Sequence, residues 1–197
     1  MKNAVGLEIP ANIQGYKEIK PYAGPFVTKP DGRRAGAKLK ATYPGGSKIL
    51  PSIEAAIEAS GLKDGMTISF HHGLRNGDAV MNAVIPAIAR RGIKGLTLAP
   101  SSFLDTNDEL IPYFKDGVII AAETSGLRNR LGQYLTTTQL EKPTIIRSHG
   151  GRVRAIESGE LHIDVAFIAA PTCDTSGNIN GVEGPAACGS IGYAMVD

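Results

Sequence analysis

The sequence predicts an α/β fold, an open and mostly parallel sheet flanked by helices, with an irregular N-terminal arm in front of it. Three observations carry this. From Ser47 onward, short apolar runs of strand length alternate with segments of helical period, which calls for a parallel sheet with right-handed crossovers. The run Val118-Ile119-Ile120-Ala121-Ala122 is apolar throughout, as a strand covered on both faces is. The chain also holds 24 glycines in 197 residues, well above the usual ~7%. With no G-x-y period or low-complexity block, these glycines belong in tight turns and loops that approach a ligand closely.

The elements follow in order. Residues 1–46 carry Pro10, Pro21, Pro25, Pro30 and Pro44, with Asp31-Gly32 and Gly45-Gly46, so they form the arm and not part of the layered domain. The arm includes a basic stretch of Lys29, Arg33, Arg34, Lys38 and Lys40, either a solvated loop or a clamp for a phosphate-bearing ligand. The α/β domain is expected over 47–197. Ile49, Leu50, Ile53, Ala56 and Ile57 recur at helical spacing, with Ser47 as N-cap and Gly61 as the stop. Met66–Phe70 reads as a strand, a helix runs from about Asp78 through Arg91, and Leu96–Ala99 is a second strand. Asn107 to Lys115 is a short helix, Val118–Ala122 a third strand, and Leu127 to Leu135 helical. Thr144–Ile146 and Ile163–Ala169 supply two further strands.

Composition bounds the function. Hydrophobic residues are 42% and charged residues 20%, and Lys+Arg 21 against Asp+Glu 19 leaves +2. That is a globular chain, too balanced for a dedicated nucleic-acid binder. No apolar run reaches the length of a membrane span. The start, MKNAVGLEIP, lacks the apolar core of a signal peptide. Two cysteines, Cys173 and Cys188, make no disulfide framework and fit a reducing cytoplasm. Both read as small buried side chains and not as nucleophiles.

Open α/β sheets bind ligands beyond the carboxyl ends of their strands, so the segments after each strand carry the candidates. These are His71–Asp78, Pro100–Ser102, Glu123–Gly126, Arg147–Gly151 and Thr172–Asn178. In the first, Asn76-Gly77-Asp78 leads into a helix whose N–H groups and positive end would face the rim. Arg75 adds a planar cation suited to carboxylate or phosphate. The plainer alternative has Asp78 capping its own helix and Arg75 in solvent. His71 and His72 are adjacent, so in extended backbone they point to opposite faces. One would handle a proton while the other packs, and no spacing here supports zinc. G-x-G-x-x-G, the P-loop and G-x-S-x-G are all absent, which disfavours dinucleotide, triphosphate and serine-hydrolase sites.

The runs DGMTISFHHGLRNGDAVMNAV, TLAPSSFLDTNDELIPYFKDGVIIAAETSGLRNRLG and HIDVAFIAAPTCDTSGNINGVEGPAACGSIGYA together resemble the citrate lyase alpha chain family, the citrate CoA-transferase subunits. The resemblance extends over nearly the whole chain. More loosely, strand, glycine loop and helix followed by D-x-x-G-N looks like the first domain of the wider CoA-transferase superfamily. It implies exchange of acetyl for citrate on a CoA-like thioester carried by an acyl-carrier subunit, giving citryl-thioester and acetate. It also implies beta (lyase) and gamma (carrier) subunits as partners, a homo-oligomer inside a larger cytoplasmic complex, no tightly bound cofactor and no metal. The CoA-type thioester is substrate. On this reading His72, Arg75 and Asn76 are catalytic. Substrate or CoA binding falls to His71, Gly73, Gly77, Asp78, Ser101, Ser102, Thr124, Ser125, Gly126, His149, Gly150 and Asn178.

Family members are more than twice this length and carry a second domain. The chain, ending at Gly192–Asp197 in what reads as a strand or its exit, is therefore expected to be a first domain, inactive alone. Two alternatives stay open: a non-catalytic assembly module of the complex, and a sugar-phosphate isomerase of related fold working through Asp78, Glu123 or Asp174.

Overall fold

Pro51 sets where the first helix begins. It has no N–H to bond the Ser47 carbonyl, and its ring keeps Leu50 out of helical backbone. Helix α1 (Ile53–Ser60) accordingly starts after Ser52, whose Oγ accepts from the Ala55 N–H at 3.1 Å, and Gly61 ends it at φ +71°. Ser47, expected as the N-cap, instead accepts from the Ile49 N–H. The computed structural model describes residues 1–3, 6–15, 18–21, 45–74, 76–138 and 140–197. The basic stretch from Lys29 to Lys40, and Arg75, lie outside the described residues.

The elements after α1 are β1 (Thr67–His71), α2 (Val80–Arg90) and β2 (Leu96–Leu98), then a 3-10 turn (Asp105–Leu110) running into α3 (Ile111–Lys115). Next come β3 (Ile119–Thr124), α4 (Asn129–Thr137), β4 (Ile145–Ile146), α5 (His149–Glu157) and β5 (Val165–Ile168). A two-stranded antiparallel hairpin, β6 (Thr172–Cys173) with β7 (Ile179–Asn180), and a 3-10 turn (Gly192–Val196) complete the order. The five-stranded sheet has the order β4-β3-β2-β1-β5, and every pairing in it is parallel. An α/β fold with a parallel sheet is thus what the chain adopts.

Alternate residues of β1 point to opposite faces. Ile68 and Phe70 enter the main core with Val84, Ile85 and Ile88 of α2, Leu98 of β2 and Ile119 of β3. Ser69 points the other way and meets Arg152 of α5. On that second face Ala99, Ala155 and Leu161 form a smaller cluster. Among the described residues, no helix is long and apolar enough to cross a membrane.

Three expectations need correction. Residues 149–151, placed in the segment after the fourth strand, are the first turn of α5: Ser148 caps it, its Oγ accepting from Gly151 N at 3.0 Å, and this cap offsets the two glycines of that turn. Helix α2 begins at Val80, two residues past Asp78. Gly192–Val196 is a 3-10 turn packed against α5 and not a strand.

Strands β1 to β4 step outward in one direction, and β5 returns to the other side of β1. The order reverses there, which opens a crevice at the carboxyl ends of β1 and β5.

Candidate functional site

The ladder continues past the strand ends and fixes the rim loops. Ser101 N–H donates to the Phe70 carbonyl at 3.0 Å, and Ala169 N–H to that of His71 at 3.1 Å. Further along the rim, Ser125 N–H donates to Ser101 O at 3.2 Å, Phe103 N–H to Gly126 O at 2.9 Å, and Arg147 N–H to Thr124 O at 2.9 Å. The segments Pro100–Ser102, Glu123–Gly126 and Arg147–Gly151 are therefore tied to one another by backbone, and to the end of β1 through Phe70.

Two spaces open on this rim. A narrow cleft of about 20 Å³ lies among His71, His72, Gly77, Asp78, Ser102 and Phe167, room for about one water. A second, about 100 Å³, lies among His71, His72, Gly73, Ser190 and Tyr193. The two histidines border both. Sequence reasoning put them on opposite faces, but His71 is the last residue of β1 and the chain turns after it, so the rings stand 6.4 Å apart. His72 Nδ1 lies 2.7 Å from the Leu74 carbonyl. A carbonyl only accepts, so Nδ1 carries the proton and Nε2 is left as an acceptor.

The glycines have steric reasons to be there. Gly77 sits at φ +85°, and a Cβ on it would meet Leu104 Cδ1 at 2.8 Å. A Cβ on Gly73 would meet Cys188 Sγ at 2.6 Å, and one on Gly126 would meet Ser102 Oγ at 2.6 Å. Asp78 Oδ1 accepts from Val80 N–H at 2.8 Å. It caps its own helix, as the plainer reading had it, and takes up one of the N–H groups expected to face a ligand.

The other candidates are more spread out. Ser101 and Thr124 are buried. Thr124 Oγ1 folds back on Gly126, and Ser125 Oγ is sealed from solvent with no hydrogen-bond partner among the described residues. Asn76 is exposed. His149 and Gly150 stand in the first turn of α5, and the His149 ring meets Tyr193 at 5.6 Å. Asn178 lies in the β6–β7 hairpin, its N–H and Nδ2 both donating to Asp174, and it borders neither space. Arg147 is held by Glu123 at 3.1 Å and Glu160 at 2.8 Å. Burial by itself would lower its ionisation, but those two carboxylates raise it above the usual guanidinium range. Cys173, expected to be buried, is exposed on the hairpin; Cys188 is half-buried and both are free. Among the described residues, no three His, Cys, Asp or Glu side chains are placed to hold a metal ion.

Sequence reasoning missed a buried polar group beneath the rim. Arg152 is 1% exposed; it donates to Asp197 Oδ1 at 2.5 Å, to Ser69 Oγ at 2.9 Å and to the Ala99 carbonyl at 2.9 Å. Ser69 donates to Asp197 Oδ2 at 2.6 Å. The one signal in the sequence was Ser69 itself, a polar residue inside an apolar strand, which must find a partner when buried. Burial tends to raise the Asp197 carboxyl, but contact with His71, the hydrogen bonds from Arg152 and Ser69 and the Arg152 charge hold it below its ordinary value.

A group depressed in this way adds stability above its unfolded pKa, about 3.9, and that stability is lost as pH falls through the lower folded value. Urea midpoints measured from pH 7 downward should therefore fall steeply below about pH 4. Asp197→Asn should flatten this fall, and an unchanged acid limb in that variant would count against the assignment.

The family model described as citrate lyase, alpha subunit (CitF) matches residues 46–197. The chain belongs to the citrate lyase alpha subunit family. It is 48% identical over 179 residues to the citrate lyase alpha chain of Klebsiella pneumoniae, a match covering 91% of this chain and 34% of that one. Against the Escherichia coli K12 citrate lyase alpha chain it is 50% identical over 150 residues, covering 76% and 29%. A crystal structure from Streptococcus mutans, described as the alpha subunit of citrate lyase in complex with citrate, superposes with a TM-score of 0.87 at 45% identity. That match covers 100% of this chain and 38% of the other. The chain thus spans about a third of the length of the citrate lyase alpha chains it matches.

Proposed function

We propose that this chain supplies one wall of a citrate CoA-transferase site. There, the acetyl group of a CoA-like thioester on an acyl-carrier subunit is exchanged for citrate, giving a citryl-thioester and acetate. The observation that carries this reading is the convergence of His71, His72, Gly77, Asp78 and Ser102 on the β1/β5 crevice, in a chain of the citrate lyase alpha subunit family.

The chemistry needs carboxylates held beside a thioester and an oxyanion stabilised as the acyl group moves. Fixed N–H donors and cations do this with little reorganisation. Both spaces are open to solvent along the rim, and citrate lies across it with one group entering the crevice. Arg75 provides the cation, and Asn76 a neutral donor for the developing oxyanion. His72 offers the Nε2 acceptor. Ser101, Ser102, Thr124, Ser125 and Gly126 continue the wall toward the CoA moiety, with Gly73, His149, Gly150 and Asn178 at its margins. The half-reaction calls for no metal. The partners are the lyase and acyl-carrier subunits, and the setting is the cytoplasm, with the 47–197 unit as the working domain.

The test is kinetic, on this chain joined to the remaining length its relatives carry. Arg75→Ala should lower transferase kcat/KM about 10- to 100-fold, the worth of a charge-assisted contact of about 1.5–3 kcal/mol. Arg75→Lys should also lose activity, because an ammonium cannot reproduce a two-pronged contact. Turnover close to native in both would remove Arg75 from the site. Complex formation without turnover at full length would favour an assembly role.

A further inference from the structure

The buried group beneath the rim does more than join α5 to the sheet. His71 Nδ1 is sealed from solvent and has no hydrogen-bond partner among the described residues. The group facing it is the Asp197 carboxylate, with Oδ2 at 3.8 Å. That carboxylate is fixed at both oxygens, Oδ1 by Arg152 and Oδ2 by Ser69. Arg152 is anchored in turn on the Ala99 carbonyl. The imidazole is also held: Tyr193 packs edge-on against it at 4.8 Å and 81°, while Arg152 lies 5.8 Å from the Tyr193 ring centre.

We propose that Asp197 is a positioning residue for His71: set by Arg152 and Ser69, its carboxylate keeps the ring proton on Nδ1 and leaves Nε2 as a bare acceptor at the rim. The reason is electrostatic. A neutral imidazole turns either an N–H or a lone pair toward the carboxylate, and an ionised carboxylate carries only lone pairs. With Nδ1 sealed from bulk solvent, the tautomer with the lone pair there puts two like partial charges face to face in a poorly screened setting. The N–H tautomer turns the same contact into attraction. Because Nδ1 is sealed, the ring borders the crevice through its other edge, the one bearing Nε2.

His72 reaches the same state by a separate route, through the Leu74 carbonyl. Two neighbouring rings then present Nε2 acceptors to one crevice. That pair selects a hydrogen-bond donor, a hydroxyl or a protonated acid, in contrast to the anion-seeking groups of the His71–Asp78 loop. This inference concerns the state of the rim and does not depend on the transferase reading.

The experiment is a long-range proton–nitrogen correlation on the chain with ¹⁵N-labelled histidine, at a pH where all four histidines are neutral. His71 and His72 are assigned by single His→Gln variants. The expected native spectrum has both rings in the Nδ1–H form. In Asp197→Asn the side-chain amide can turn its N–H toward His71 Nδ1, so His71 should pass mainly to the Nε2–H form while His72 stays unchanged as an internal control. A merely structural role for Asp197 would not move the tautomer. The Nε2–H form at His71 in the native chain would overturn the proposal, and so would a folded Asp197→Asn variant with His71 still in the Nδ1–H form. If Asp197→Asn does not fold, the native spectrum alone decides.

Discussion

Replacing Arg152 with Met is expected to remove about 3–5 kcal/mol of folding stability, because it strands a buried carboxylate without its cation. Arg152 and Asp197 have side chains 1% and 0% exposed, so water cannot take over the lost contacts. The same change leaves the Ala99 carbonyl without its Arg152 donor. Urea unfolding followed by circular dichroism measures the loss. Arg154→Met is the control: its pair with Glu160 is more than half exposed on the arginine side, and its removal should cost under about 1 kcal/mol. Adding Asp197→Leu to Arg152→Met should recover part of the loss, since buried ion pairs exchanged for apolar groups are often neutral or better. A loss below 1 kcal/mol for Arg152→Met would mean that the group is wet and not a built part of the rim.

Phe103→Ala should cost a similar amount, about 3–5 kcal/mol, the usual range for emptying an aromatic site in a core. Phe103 is 0% exposed and packs in the main cluster. It sits between Ser102 and Leu104, which both border the smaller space, and its N–H fastens the loop after β2 to Gly126. The cavity should therefore loosen the rim as well as the core. Hydrogen exchange at the Phe103 amide should speed up by more than exchange at Ile119 in β3. Equal acceleration at both sites would show that Phe103 supports the core alone.

The strands of the parallel sheet were legible as short, mostly apolar segments between helical periods, most clearly Ile119-Ile120-Ala121-Ala122 in β3, as a sheet covered on both faces requires. The rim followed from them, since polar segments after such strands must meet at one edge. What escaped notice had specific causes. Gly150 and Gly151 disguised α5, whose start depends on the Ser148 cap. Pro51 moved the first cap from Ser47 to Ser52. Asp78 looked like part of a helix end and is the group that caps it. The β6–β7 hairpin is held by Asp174, which accepts from Ser176 and Asn178, a local turn that hydrophobic periodicity does not register. The hardest to see was the Ser69, Arg152 and Asp197 group, joined across sequence separations of 83, 128 and 45 residues. No local pattern encodes such contacts. Only the crossover that lays α5 over β1 brings them together.

The central claim is that the edge formed by the carboxyl ends of β1 and β5 is where substrate binds. The most direct measurement is a crystal structure of the chain, joined to the remaining length its relatives carry, soaked with citrate and a CoA thioester. The account predicts citrate density within hydrogen-bond reach of the His71–Asp78 loop, with a donor group against His72 Nε2. Citrate seated away from that loop, for example against Arg147 or the Asp174 hairpin, with the β1/β5 crevice empty, would contradict it.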